Sequence, residues 1–396
     1  MLLKSKLLEL EAKKYIVILN KADAAELDVK PLDRVEIFSK KKKVVAIVNI
    51  AEKFIKRGEI GLYNRVAEDL KVKDGKEVKV VPSPPPRSIT YIRKKLSGLT
   101  LKREEIREIV EDVVQQKLSD IELTSFVTAL YERGMTMEEA ASLSIAMAET
   151  GKSLKLNRTV YDKHSIGGVP GDKTSILLVP IIAASGLTIP KTSSRSITSP
   201  AGTADRVECL CPVELDMDEI KKVVLKTNGC LVWGGAVELA PADDIFIRIE
   251  YPLSIDPLLL PSVMSKKKAV RAKYLVIDIP TGRGAKVKTI GEANELAKQF
   301  IELGKRLGIK AACVSTFGEQ PIGHGIGPAL EAREALLALQ GKCPQDLLDK
   351  VISLAEVLLK FAGVKGPRQK ILNLIKSGKA ERKLREIIEA QGGDPK

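Results

Sequence analysis

Lys163-His164-Ser165-Ile166-Gly167-Gly168-Val169-Pro170-Gly171-Asp172-Lys173-Thr174-Ser175 is a basic, glycine-rich stretch that ends in small hydroxyl residues and opens an apolar segment. Glycines let backbone amides approach an anion closely, and the free amides and dipole at the start of a following helix favour negative charge. Lys163, Ser165 and Ser175 add side-chain donors. The stretch reads as an anion cradle; the competing reading is a solvated strand-to-helix turn. A Walker loop needs glycine immediately before Lys-Thr, and here Asp172 stands in that place. A carboxylate there repels a triphosphate, which disfavours an NTPase.

The surrounding composition narrows the partner. The chain of 396 residues is long enough for two or three domains, and its 44% hydrophobic and 29% charged content is ordinary for a folded, soluble protein. A formal net charge of +14 puts anions first: nucleic acid, anionic membrane or a phosphorylated small molecule. The dense run Lys40-Lys41-Lys42-Lys43 lies between strand-like segments and reads as a solvated hairpin tip. Elsewhere cations alternate with acids on helices, as in Lys102-Arg103-Glu104-Glu105, which makes helix-face pairs and no nucleic-acid stripe. Cys209, Cys211, Cys230, Cys313 and Cys343 contain no C-x-x-C pair and read as free thiols, fitting a reducing cytoplasm. The start, Met1-Leu2-Leu3-Lys4, lacks the apolar core of a signal peptide, and no run has the length of a membrane helix. Few aromatics with many Lys and Glu hint at a thermophile.

Residues 1–82 alternate in the manner of short strands, at Tyr15 to Leu19, Arg34 to Phe38 and Val44 to Val48. Leu27, Val29, Val35 and Ile37 are echoed by Leu70, Val72, Val78 and Val80, each set split by a turn signal. A duplicated unit that buries one face against its copy predicts a small pseudo-symmetric barrel of double-psi type. Pro82-Ser83-Pro84-Pro85-Pro86 reads as a stiff, extended linker. Helical periodicity follows, with Ile106, Ile109, Val110, Val113 and Val114 on one face and capping-box spacing at Thr136-Met137-Glu138-Glu139. Apolar strands at Tyr274 to Ile279 and Ala311 to Val314 then alternate with helices such as Gly291 to Leu307, the pattern of an α/β sheet. From Pro328 to Gln391 the chain is helical.

Three more segments carry chemistry. Thr192 to Thr203 holds seven hydroxyls and Arg195, suited to ribose and phosphate oxygens or, more plainly, a polar loop. In Leu253-Ser254-Ile255-Asp256-Pro257-Leu258 a carboxylate sits among apolar residues, where burial would keep it protonated and ready to donate to a leaving group; an ordinary helix-capping Asp-Pro is the alternative. Thr281-Gly282-Arg283-Gly284-Ala285-Lys286 allows a backbone turn beside an anion that a lysine can reach.

Taken together, these segments resemble the thymidine phosphorylase superfamily, most closely its archaeal AMP phosphorylase branch. The resemblance runs in order through Asp162 to Gly168, Ser194 to Asp205, Asn228 to Ala236, Leu239 to Asp244 and Leu253 to Pro257, and covers nearly the whole chain. The N-terminal β domain favours the AMP branch, because the nucleoside enzymes begin at the helical domain. The implied fold is a multidomain α/β protein of nucleoside phosphorylase/phosphoribosyltransferase-like type. It comprises an N-terminal β-barrel-like domain (1–82), an all-α domain (88–156) and an α/β domain (157–396) with helical segments, some of which, at about 230–266, return to the helical domain.

The resemblance implies phosphorolysis of a nucleoside 5′-monophosphate, AMP and also CMP and UMP, to a free base and ribose 1,5-bisphosphate. Lys163, Ser165, Ser175, Ser193 and Thr203 would hold inorganic phosphate. Gly168, Ser194, Arg195, Ser196, Ile197, Thr198, Ser199, Thr203, Ser262 and Lys286 would hold the nucleotide, and Asp256 would protonate the departing base. No metal or cofactor is implied beyond phosphate as co-substrate. A homodimer or larger assembly through the N-terminal domain is expected, with neither nucleic acid nor membrane as partner. The segment Asp256 to Ser262 is two residues shorter than the family pattern, which loosens the placing of Ser262 and Lys266. Relatives continue for roughly another hundred residues, room for a further structural unit that this chain is expected to lack. A pyrimidine nucleoside phosphorylase, a non-catalytic assembly module and a nucleic-acid binder are the competing functions.

Overall fold

The computed structural model describes residues 1–12, 14–196 and 201–396. By packing, the chain divides into two compact units, residues 1–135 with 245–257, and residues 136–244 with 258–396. Of the stretch 230–266, only 245–257 belongs to the first unit.

In the first unit, β1 (Leu2–Leu7), β2 (Ile16–Asn20), β3 (Arg34–Ser39), β4 (Lys42–Ala51), β5 (Glu59–Leu62) and β6 (Glu77–Ser83) close a barrel in the order β1-β5-β2-β4-β3-β6. Strand alternation turns Val17, Leu19, Val35, Ile37, Ile60, Leu62, Val78 and Val80 into its interior, where all are buried. The sequence repeat is visible in the pairing. β1 runs parallel to β5 and antiparallel to β6, as β4 runs parallel to β2 and antiparallel to β3. The antiparallel pairs β2–β5 and β3–β6 join the two halves.

The repeat extends to the turns. After α1 (Lys21–Glu26) and α2 (Asn64–Leu70) the backbone turns left-handed at Asp28 (φ 53°) and Lys71 (φ 50°). It does so again at Leu32 (φ 73°) and Gly75 (φ 72°), whose amides donate to Val48 O and Ser5 O. Lys40 and Lys41 form the β3–β4 turn, flanked by the Ser39–Lys42 pair, so the lysine run begins at a hairpin tip as expected. The expected linker is shorter than its prolines suggested. Pro82 and Ser83 continue β6 opposite Val35 and Arg34, because a strand's end tolerates a residue with no N–H to donate.

Three helices follow: α3 (Ser88–Leu96), α4 (Arg103–Val114) and α5 (Asp120–Arg133). α4 buries Ile106, Ile109, Val110 and Val113, the stripe its 3.6-residue period predicts. Ser119 and Glu122 form the capping box of α5. Buried Arg34 of the barrel reaches α5, donating from Nε to Lys117 O at 2.6 Å and pairing with Glu122.

The second unit contains α6 (Met137–Glu149), capped by Thr136 and Glu139, then β7 (Val160–Ser165), α7 (Thr174–Ala184), β8 (Ile189–Ser193), α8 (Thr203–Glu208), α9 (Met217–Thr227) and β9 (Gly229–Trp233). α10 (Pro241–Leu253) carries the chain to the first unit and α11 (Leu259–Ala269) returns it. Then come β10 (Ala272–Thr281), α12 (Ile290–Leu307), β11 (Lys310–Phe317), α13 (Pro328–Leu339), α14 (Gln345–Phe361), α15 (Pro367–Lys376) and α16 (Lys379–Ala390).

The strands β11-β10-β7 are parallel, as are β8 and β9, and a parallel bridge between Val160 and Thr188 brings the two groups together. Successive residues of α7, Ile176 to Ala183, are fully buried, which fits a helix apolar all round and packed by α13, α14, α15 and α16. The chain leaves β7 toward β8 on one side, then crosses to β10 on the other. β7 therefore flanks a topological switch point, where open parallel sheets place ligands beyond the carboxyl ends of their strands.

Candidate active site

The cradle stretch lies at that switch point. Lys163 and Ser165 are at the carboxyl end of β7, and residues 166–173 loop from it to α7. Gly167 (φ 84°), Gly168 (φ 90°) and Gly171 (φ 77°) occupy backbone conformations that side chains rarely adopt. Space forbids side chains too. A Cβ on Gly168 would lie 2.7 Å from Lys286 N, and one on Gly171 2.6 Å from Ile322 O. A Cβ on Gly282 would lie 2.6 Å from the carbonyl carbon of Gly318. The loops after β7, β10 and β11 thus meet backbone to backbone.

Charge is concentrated beneath them. Lys163 Nζ lies 3.4 Å from Ser175 Oγ and 3.7 Å from Asp278 Oδ2. Ser165 Oγ donates to Asp278 Oδ2 at 2.8 Å, Thr316 Oγ1 donates to Asp278 Oδ1 at 2.6 Å, and Lys350 Nζ donates to Asp278 Oδ2 at 2.9 Å. Lys350 Nζ also reaches Asp172 Oδ2 at 3.3 Å, while Asp172 Oδ1 accepts from Thr174 N. Burial opposes ionisation of Asp172, but the Lys350 and Lys163 ammoniums outweigh it and hold the carboxyl well below the usual range. Burial likewise works against the Lys350 ammonium, and Asp172 and Asp278 more than restore it, raising its pKa.

Further cations stand behind this group. Lys267 donates to Asp162 Oδ2 at 2.7 Å, and both are buried. Burial, followed by the charges of Lys267, Lys191, Lys163 and Lys266, pushes the His164 imidazole well below its ordinary value, so it is neutral at pH 7. Burial, with Lys267 beside it, also lowers Lys191 well below the usual lysine range. Lys173, at the start of α7, pairs with Glu334 of α13 and donates to Gly325 O in the loop before that helix at 3.0 Å. Arg206 and Glu331 make a second buried pair.

Lys163, Ser165 and Ser175 are brought together, and Gly168 meets the backbone of exposed Lys286. Ser193 closes β8 with Oγ donating to Val232 O at 3.2 Å, and Thr203 opens α8. Ser194 is exposed, and its carbonyl accepts from Ala204 N. Arg195 does not present an open fork to an anion. Its guanidinium binds Glu208 at 2.6 and 2.8 Å, Glu214 at 3.0 Å and Asp205 at 3.3 Å, and lies 4.9 Å from the Trp233 ring centroid. Asp205 Oδ2 accepts from the amides of Ser196 and Gly202. Ile197, Thr198 and Ser199 lie outside the described residues. Ser262 is half-buried on α11, and Lys266 pairs with buried Asp243 at 2.6 Å.

One expectation about Asp256 is overturned. Its apolar neighbours do not bury it: Asp256 is exposed, beyond the end of α10, with exposed Leu253 and a left-handed Ser254 before it. Apolar sequence neighbours enclose a residue only where the chain turns them inward, and here Leu258 alone is fully buried.

Asp278, Thr316 and Lys350 were not singled out from the sequence. Lys350 carried a faint signal, interrupting the apolar stripe Leu347, Val351, Leu354 and Leu358 of α14. Among the described residues no group of three His, Cys, Asp or Glu is arranged to hold a metal ion. The five cysteines are free thiols, with Cys211 and Cys230 buried.

Residues 89–151 match the family model for the glycosyl transferase family helical bundle domain, and residues 157–381 that for the glycosyl transferase family a/b domain. The AMP phosphorylase of Thermofilum pendens is 54% identical over the whole chain and 77% of its own length. That of Thermococcus kodakarensis is 52% identical over 99% of the chain and 79% of its own length. That of Methanocaldococcus jannaschii is 52% identical over 96% and 76%. Among solved structures, anthranilate phosphoribosyltransferase from Thermus thermophilus is similar with TM-score 0.65 at 19% identity, covering 76% of this chain and 98% of that one. The last likeness is one of fold. Identity above one half over alignments that span barrel, helices and sheet leaves a single assignment: the chain belongs to the AMP phosphorylase family of the glycosyl transferases.

Proposed function

We propose that the chain cleaves AMP with inorganic phosphate to adenine and ribose 1,5-bisphosphate, and accepts CMP and UMP in the same site, as a step in nucleotide salvage and degradation. The observation that carries this reading is the gathering of Lys163, Ser165 and Ser175 at the switch point of the parallel sheet, in a chain whose relatives are named AMP phosphorylases. Phosphate is already a nucleophile. The protein's work is to align it with the anomeric carbon, tolerate an oxocarbenium-like transition state and neutralise the departing base.

In this reading Lys163, Ser165, Ser175, Ser193 and Thr203 hold phosphate. Gly168, Thr203, Ser262, Lys286 and the segment 194–199 hold the nucleotide. Arg195 is counted with that segment by the resemblance, and its guanidinium also pairs with Asp205, Glu208 and Glu214. As phosphate oxygen bonds to C1′, the C1′–N bond breaks and its electron pair stays with the base, which takes a proton from Asp256. That role rests on the family motif around Asp256 and not on burial. Phosphate is the only co-substrate, and no metal takes part. The working form is a cytoplasmic homodimer, or a larger assembly joined through the barrel.

A parallel assay with AMP, CMP, UMP, adenosine and thymidine, each with and without phosphate, tests the reading. Phosphate-dependent release of base from the three monophosphates well above that from the two nucleosides is expected. Preference for thymidine would replace the reading with a pyrimidine nucleoside phosphorylase, and no release from any substrate would leave an assembly role.

A further inference from the structure

The cradle has a paradox. Ser165 Oγ lies 2.8 Å from one Asp278 oxygen and 3.4 Å from Asp172 Oδ2, so phosphate held by Ser165 and Lys163 arrives one hydroxyl away from two carboxylates, buried Asp278 and partly buried Asp172. Those charges would repel it unless they were compensated. Ser165 also has a single hydroxyl proton, and here that proton is given to Asp278. It cannot serve phosphate at the same time.

Lys350 answers both difficulties. It projects from α14, is 4% exposed at its side chain, and its ammonium reaches both carboxylates, at 3.3 Å to Asp172 and 2.9 Å to Asp278. We propose that Lys350 is a positioning residue for the phosphate site: together with Lys163 it offsets the two charges of the Asp172–Asp278 pair and, with Thr316, satisfies Asp278 so that Ser165 can turn its proton to the incoming anion. This rests on the assignment of Lys163, Ser165 and Ser175 to phosphate. Lys350 does not itself touch phosphate. Its effect is carried by charge and by a hydroxyl rotation, the kind of support that sets how well a binding group is poised.

The test compares Lys350→Gln, Lys350→Arg and the double variant Lys350→Gln/Asp172→Asn. KM for phosphate, KM for AMP and kcat are measured, together with the rise in melting temperature on adding inorganic phosphate alone. Lys350→Gln should raise KM for phosphate about tenfold or more, the scale of one uncompensated charge near the site, with KM for AMP changed less than about threefold. Lys350→Arg should recover most of the loss. The double variant, which removes one carboxylate along with the cation, should regain phosphate affinity over Lys350→Gln alone.

Equal losses for both substrates, or a double variant worse than Lys350→Gln, would mean that Lys350 serves only the packing of α14, and the inference falls. If the single variant is too unstable to assay, the phosphate-induced melting shift of the double variant and Lys350→Arg decides: an absent shift in both counts against it. Should the wild type release no base from AMP, the functional reading fails separately, while the melting shift still measures phosphate affinity.

Discussion

Asp256→Asn keeps the side chain's shape at an exposed position and removes its capacity to carry a proton to the base. If Asp256 is the acid, kcat for AMP should fall about a hundredfold to ten-thousandfold while nucleotide affinity stays within a few-fold. Steady-state kinetics with equilibrium binding check this, and an unchanged kcat would remove Asp256 from the chemistry. Gly168→Ala acts through the backbone. Its left-handed conformation alone costs a Cβ about 1–2 kcal/mol, and the 2.7 Å approach to Lys286 N forces the two loops apart. A lower melting temperature together with weaker binding of both phosphate and AMP is expected. The donors of the cradle were legible in the sequence because they are neighbours in one stretch, Lys163 to Ser175. Asp278, Thr316 and Lys350 were not: three separate elements bring them in, and no local spacing marks a residue whose partner lies on another strand or helix.

The barrel's two turns offer a matched experiment on an element. Leu32 and Gly75 share a left-handed φ, yet only one is glycine. Leu32→Gly should be neutral to stabilising by up to about 1 kcal/mol, and Gly75→Leu should cost about 1–2 kcal/mol, since open space surrounds Gly75 and only its backbone objects. Urea melts of both variants measure the difference. At the other end of the chain, Glu334 joins the loop before α13 to Lys173. Burial disfavours its ionisation, but Lys173 and the amides of His324 and Gly325 prevail and lower its pKa. A depressed carboxyl stabilises the fold above its unfolded value, near 4.3, and that contribution is lost as pH falls through the lower folded value. Glu334→Gln should therefore cost about 2 kcal/mol near neutrality and flatten the acid limb of melting temperature against pH. The elements were readable wherever period and caps agreed, as in α4, α6 and the duplicated barrel strands. Pro82 misled because proline marks a linker and a strand's end equally well, and only the β3 partner decides between them.

At the scale of the whole molecule, the barrel is held to the helices by more than its linker. Arg34→Ala would leave Glu122 without its buried partner and Lys117 O without a donor, a loss of about 3 kcal/mol or more for a buried pair. A barrel transition separating from the main unfolding transition in calorimetry is the expected sign; a single shifted transition would show that other contacts suffice. The order of domains was legible because the repeat, the helical period and the strand–helix alternation occupy successive stretches of chain. The return of a segment within about 230–266 to the helical domain was implied by the resemblance, but its bounds, 245–257, were not legible, because packing and not local pattern decides them. The meeting of Gly168 with Lys286 also bears on how such a protein can change over evolutionary time. With no space for a side chain between them, the loops after β7 and β10 must vary as one body, so new substrate preferences should accumulate at sites free of that constraint. In a library selected for altered sugar or base, accepted changes should spare 167–168 and 285–286.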